Sequence, residues 1–127
     1  MAKETISESQ FSIISRAKSF TRAGRGLWLF VRTTPNAWLQ LLGFLFVIML
    51  GVYFSITTIE WALLILTSGM VLAAEAFNTA IEIDIDLTSP EYHPYARDTK
   101  DVAAGAVLIT TLAALAVGVF IFGRYIL

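Results

Sequence analysis

The chain has 127 residues, room for one domain, and is 57% apolar with only 15% charged residues. Soluble domains carry about 25% charged residues, so this balance excludes an ordinary soluble domain, and a net charge of −1 gives no reason to expect a nucleic-acid partner. Cysteine is absent, which excludes disulfides, thiolate metal sites and a cysteine nucleophile.

Met1 to Gln10 is polar and has no apolar stretch leading to a cleavage site, so no signal peptide is expected. Residues 12–33 read as an amphipathic helix. Ile13, Ala17, Phe20, Gly24, Leu27 and Val31 recur at spacings of four and three and form one apolar stripe. Lys18, Arg22, Arg25 and Arg32 gather on the other side. Such a helix lies in a membrane interface, drawn to anionic lipid. The alternative is a helix that docks on a partner protein, but the adjoining apolar segment favours the interfacial reading.

Pro35 disfavours helical geometry at Thr34 and suits the first position of a new helix with Thr34 as its N-cap. A first span is expected over 35–54, with Gln40 its only interruption after Ala37 and with Trp38 and Tyr53 near the two interfaces. Residues 55–58 make a short turn, and Thr57-x-x-Glu60 fits a capping box, which gives Glu60 a structural role. The next apolar run is free of charge only from Trp61 to Ala74. A span needs about 20 residues, so this one must continue through Glu75, and it is expected over 59–85.

Residues 86–98 contain two prolines and many polar side chains, and read as a loop. Asp98 or Thr99 would cap a third span over 99–123, with Asp101 in its first turn. Ala103, Ala104, Gly105 and Ala106 would let that helix approach its neighbours closely. The fold class expected is an all-α membrane protein, one N-terminal amphipathic surface helix plus three transmembrane helices. Six basic residues precede the first span, Arg97 and Lys100 lie in the second loop, and Arg124 stands alone at the end. The positive-inside rule then puts the N-terminus and the 86–98 loop in the cytoplasm and the C-terminus outside.

The stretch Ala74-Glu75-Ala76-Phe77-Asn78-Thr79-Ala80-Ile81-Glu82 carries the chemistry. Glu75, Asn78, Glu82 and Asp86 fall within an arc of about 80° on a helix, whereas Asp84 falls opposite. Carboxylates and an amide on one face of a membrane helix are costly unless something uses them. A partly buried carboxylate in an apolar setting takes up a proton more readily, and Glu75 has that position. Glu82, nearer water, suits a hard cation such as Mg²⁺, and Asn78 between them can orient either. Lys100-Asp101 would stand at the start of the third helix, where a lysine beside a helix N-terminus suits phosphate. Together these groups suit phosphoryl transfer to a lipid headgroup. The structural alternative is an acid that merely pairs with a lysine inside the membrane. No GxxxxGK[ST] loop, GxGxxG loop or HRD/DFG set is present.

Glu75-Ala-Phe-Asn78-Thr-Ala-Ile-Glu82, then Asp86, Glu91-Tyr92-His93-Pro94 and Lys100-Asp101-Val-Ala-Ala-Gly-Ala-Val-Leu108, resemble the signature of the prokaryotic diacylglycerol kinase and undecaprenol kinase family. The likeness runs from about Phe20 to Phe122 and includes Glu60-Trp61-Ala62-Leu63. The EYHP and KDVAAGAVL wording resembles the undecaprenol kinase branch more closely. The resemblance implies an ATP- and Mg²⁺-dependent kinase of a membrane lipid alcohol, acting in lipid or cell-envelope precursor recycling in the bacterial plasma membrane. It also implies a homotrimer with active sites shared between subunits. On matching positions Glu75 would be the general base, with Asn78 supporting it, and Glu82 would bind the metal. Glu91, Tyr92, His93, Lys100 and Asp101 would contact the nucleotide. One departure stands out: Thr34 occupies the place of a family glutamate that is a second metal ligand. Mg²⁺ would then rest on Glu82 and the phosphates of ATP, with Asp86 near by, or activity would be reduced. The runner-up reading is therefore a catalytically impaired relative serving as a membrane assembly protein. A proton-coupled transporter subunit using Glu75 as carrier would need neither the EYHP segment nor the Lys100-Asp101 pair.

Overall fold

A computed structural model describes residues 13–127, so the polar N-terminal stretch and the expected helix start at Ser12 lie outside the described residues. Four helices and no strand form among the described residues: α1 (Ile13–Thr33), α2 (Pro35–Phe54), α3 (Thr58–Thr88) and α4 (Pro94–Ile126). Residues up to Thr33 form one unit and Thr34–Leu127 a second, each described by itself. Helix α1 has the extent and the apolar and basic faces expected from its sequence. Helices α2, α3 and α4 are long and apolar enough to cross a membrane, as the fold class requires. Most of their large apolar side chains, among them Phe46, Met49, Leu66, Ile109 and Phe120, are exposed in the single chain. That is tolerable in lipid, which solvates them, while the helical backbone satisfies its own polar groups.

Each boundary has a local cause. Thr34 has extended geometry and Pro35 opens α2, at the position where a missing N–H costs nothing. At the other end Ser55 takes the left-handed conformation, φ 51°. Its N–H bonds Val52 O, and the Ile56 N–H bonds Gly51 O, a Schellman termination that satisfies two orphan carbonyls. The Thr57/Glu60 capping box forms in both directions, Thr57 N to Glu60 Oε2 at 2.8 Å and Glu60 N to Thr57 Oγ1 at 3.3 Å. Glu60 is also held from α4, by Arg124 at 3.0 Å and by the Tyr125 hydroxyl at 2.8 Å. The structural role read for Glu60 is thus present, with two partners that its local sequence did not announce. Around it Ile56, Leu64, Ile121 and Phe122 make the buried core, with Phe54 and Trp61 packed against them.

The second connection differs from expectation. Helix α3 continues through Asp86 to Thr88 instead of stopping at 85, and α4 begins at Pro94, not at 99. Only residues 89–93 are non-helical, where a loop over 86–98 was expected. The cap is His93, whose Nδ1 accepts from the Tyr95 N–H at 3.2 Å, so neither Asp98 nor Thr99 caps this helix. Pro94 occupies the first helical position, where proline starts a helix rather than breaking one. Asp101 and Lys100 accordingly lie about two turns inside α4, not at its N-terminus. At 31 and 33 residues, α3 and α4 are about 46 and 50 Å long, well beyond a hydrocarbon layer of about 30 Å. The excess forms a polar helical hairpin. Helices α3 and α4 share the most extensive packing, and α2 lies against α3 over a shorter length; the small Ala103 of α4 is buried.

Candidate active site

Glu75 sits about 22 Å along α3 from Glu60 and is only 3% exposed. A carboxylate this deeply buried needs partners, and they come from α2. Gln40 Nε2 donates to Glu75 Oε2 at 3.2 Å, and Asn36 Nδ2 donates to Oε1 at 3.5 Å. Asn36 and Gln40 are one turn apart, so both amides project from one face of α2. No basic side chain pairs with Glu75 among the described residues. The acid therefore does not owe its place to a lysine partner. Beside it Thr34 Oγ1 and Thr79 Oγ1 lie 2.9 Å apart and share one hydrogen bond. Thr34 is buried, and its hydroxyl is already engaged.

One turn further along α3, Asn78 is 9% exposed and its Nδ2 donates to Glu82 Oε1 at 3.3 Å. Its Oδ1 is buried without a partner, which is costly for a carbonyl oxygen. Glu82 is exposed, as is Asp84. Asp86 forms an ion pair with Lys100 Nζ of α4. The expected face thus exists as a graded series, with Glu75 and Asn78 buried, then Glu82, then Asp86 joined to Lys100. No group of three or more acidic or histidine side chains forms a closed metal cage among the described residues. An open site is different: Mg²⁺ is usually held by one or two carboxylates together with phosphate oxygens and waters. The Glu82 carboxylate next to the unpartnered Asn78 Oδ1 has that donor chemistry.

Beyond Asp86 the hairpin encloses a polar cleft of about 300 Å³, lined by Asp86, Glu91, Tyr92, His93, Arg97, Lys100 and Asp101 among others. All the residues read as nucleotide contacts, apart from Glu82 on the helix below, are in this lining. Arg97 was not singled out from the sequence; its guanidinium reaches the Tyr92 hydroxyl at 3.2 Å and Asp98 at 3.0 Å. Asp86 lies about 16 Å along α3 from Glu75, with Glu82 between them. Asn36, Gln40 and Thr79 were also missed. The signal available for Gln40 was its isolation, one amide in a long apolar run. A second, apolar groove of about 200 Å³ is lined by Gln40 with Phe44, Val47, Val71, Leu72 and Leu115.

Fold and site together define a small multi-pass membrane protein with a polar site where one buried acid gives way to an exposed charged cleft. Residues 21–122 match the family described as prokaryotic diacylglycerol kinase. The chain is 37% identical over 105 residues to the undecaprenol kinase of Bacillus subtilis strain 168, covering 83% of this chain and 85% of that protein. It is 35% identical over 126 residues to the diacylglycerol kinase of Helicobacter pylori strain J99, covering 94% and 95%. A diacylglycerol kinase from a second Helicobacter pylori strain, 26695, is 34% identical over the same length. The chain belongs to the prokaryotic diacylglycerol kinase family and so to the membrane lipid kinases. Membership implies a nucleotide phosphate donor and a lipid acceptor in the membrane.

Proposed function

We propose that the protein transfers the γ-phosphate of ATP to the hydroxyl of a membrane lipid alcohol, undecaprenol or diacylglycerol, with Glu75 as the general base. The observation that carries this reading is the buried Glu75 carboxylate, held by two neutral amides with no basic counterion, on the helix face that leads to the polar cleft. An acid placed only for stability would gain from a cationic partner; an acid kept free of one can accept a proton.

The lipid chain approaches along the apolar groove and brings its hydroxyl to Glu75. The hydroxyl proton passes to the Glu75 carboxylate as the lipid oxygen bonds to the γ-phosphorus and the bond to the nucleoside diphosphate breaks. The cleft holds the nucleotide: Lys100 supplies positive charge for the phosphates once it turns from Asp86, and Tyr92, His93, Glu91 and Asp101 contact the nucleoside side. Glu82 and the Asn78 Oδ1 would hold Mg²⁺, whose chemistry is to neutralise charge on the transferring phosphate. Asn78 also orients Glu82 through the hydrogen bond between them. Thr34, bonded to Thr79, stays outside this coordination, so the cation depends more on phosphate oxygens than it would with a carboxylate there.

The working assembly is a homotrimer, for which the exposed apolar faces of the three spans provide surface. The distribution of basic residues supports an N-terminus and cleft in the cytoplasm and a C-terminus outside. The test is purified protein with radiolabelled ATP, Mg²⁺ and each lipid in turn. Labelled lipid phosphate from one alcohol, lost in Glu75→Gln, is the expected result. No label on either lipid, or a fully active Glu75→Gln, overturns the proposal.

A further inference from the structure

Gln40 is the one side-chain amide among the apolar residues that follow Ala37 in α2. Half of it is used, since Nε2 donates to Glu75, while its Oε1 is buried without a partner. A half-satisfied amide in an apolar setting is a liability, because the unpaired acceptor bears its full desolvation cost. An apolar side chain of the same length would remove that liability but would leave the buried Glu75 carboxylate with one hydrogen bond, from Asn36 at 3.5 Å. The charged surroundings do not supply another reason. Helix α2 carries no ionisable side chain apart from Tyr53 near its far end. Helix α4 carries none between Val102 and Phe122, and the nearest acid on α3 is Glu82, two turns away. What the Gln40 amide does is fix one oxygen of Glu75, at the shorter of that carboxylate's two hydrogen bonds.

We propose that Gln40 is a positioning residue for the transfer reaction, aiming the Glu75 carboxylate at the lipid hydroxyl. This rests on the reading of Glu75 as the base. A base must be held within hydrogen-bonding reach of the proton it takes, and a misplacement of about 1 Å can cost about a hundredfold in rate. Asn36, at the longer distance of 3.5 Å, steadies the second oxygen but leaves the rotation of the group to Gln40.

The test compares Gln40→Met, which keeps length and removes the donor, with Gln40→Asn, which keeps the amide but withdraws it by one methylene. For both, kcat is expected to fall about tenfold to a hundredfold, with KM for ATP unchanged. Gln40→Met leaves the buried Glu75 carboxylate with one hydrogen bond, from Asn36, and is expected to unfold more easily in detergent, so rates are compared per folded molecule. In a Glu75→Gln background Gln40→Met should lower the residual rate no further, because residues acting through one another are not additive. Unchanged kcat in Gln40→Met overturns the proposal. So does an equal loss in both backgrounds, or a loss of kcat that disappears when the rate is expressed per folded molecule. Full activity of Glu75→Gln is a different failure: it removes the base itself, whereas a silent Gln40→Met beside an inactive Glu75→Gln removes only the role of Gln40.

Discussion

Gly51 sits one turn before the end of α2, where the turn into α3 is tightest, and Gly51→Ala tests the packing there. A Cβ built on Gly51 would stand 2.6 Å from Cη2 and 2.8 Å from Cζ2 of Trp61, and 3.1 Å from Cδ1 of Ile56. Carbon atoms at rest lie about 3.5–4.0 Å apart, so the indole must retreat by about 1 Å. It cannot do so freely, because Trp61 packs against the buried core and Ile56 is the residue whose N–H closes the Schellman motif on Gly51 O. Overpacking of this kind costs about 1–3 kcal/mol, and exchanging glycine for alanine in a helix returns about 1 kcal/mol. A net loss of up to about 2 kcal/mol follows, and the 2.6 Å approach to a packed indole puts it in the upper half of that range. The assay is reversible unfolding in mixed micelles with added denaturing detergent, scored beside the kinase rate of the folded fraction. Gly51 lies about 16 Å along α2 from Gln40, so the rate per folded molecule should not change. Trp61→Leu alone loses packing, but added to Gly51→Ala it should recover stability relative to Gly51→Ala. Gly51→Ala as stable as the parent chain, or a double variant weaker than the sum of its parts, refutes the argument.

Two further outcomes concern the site. Thr34→Glu places a carboxylate two residues before Asn36 and is expected to lower the Mg²⁺ concentration for half-maximal activity several-fold, since added ligand charge tightens cation binding. It breaks the Thr34–Thr79 hydrogen bond and should therefore also unfold more easily; an unchanged metal requirement in a Mg²⁺ titration refutes it. Lys100→Met removes one of the two cations lining the cleft and should raise KM for ATP about tenfold or more, as expected for loss of a charged hydrogen bond worth about 1.5–3 kcal/mol. Asp86→Asn frees the same lysine from its ion pair and should leave that KM unchanged or lower it, which a steady-state ATP titration of both variants decides.

The helices and their membrane setting could be read from local stretches of chain. Hydropathy, segment length and end signals are properties of neighbouring residues, so α1, α2 and the Thr57/Glu60 turn could be read almost residue by residue. The same local logic misjudged the second connection, because Pro90 and Pro94 look alike on paper. Only the assembled hairpin shows that Pro94 starts a helix which keeps its hydrogen-bond ladder well past the lipid. The series Glu75, Asn78, Glu82, Asp86 was legible as one helix face, since the helical repeat alone places it. Which residues meet that face depends on packing between helices. Asn36 and Gln40 reach Glu75 across 39 and 35 residues of chain, and Tyr125 reaches Glu60 across 65. Such pairings depend on how α2 and α4 pack on α3, a sum of many weak side-chain contacts that no single stretch of sequence carries.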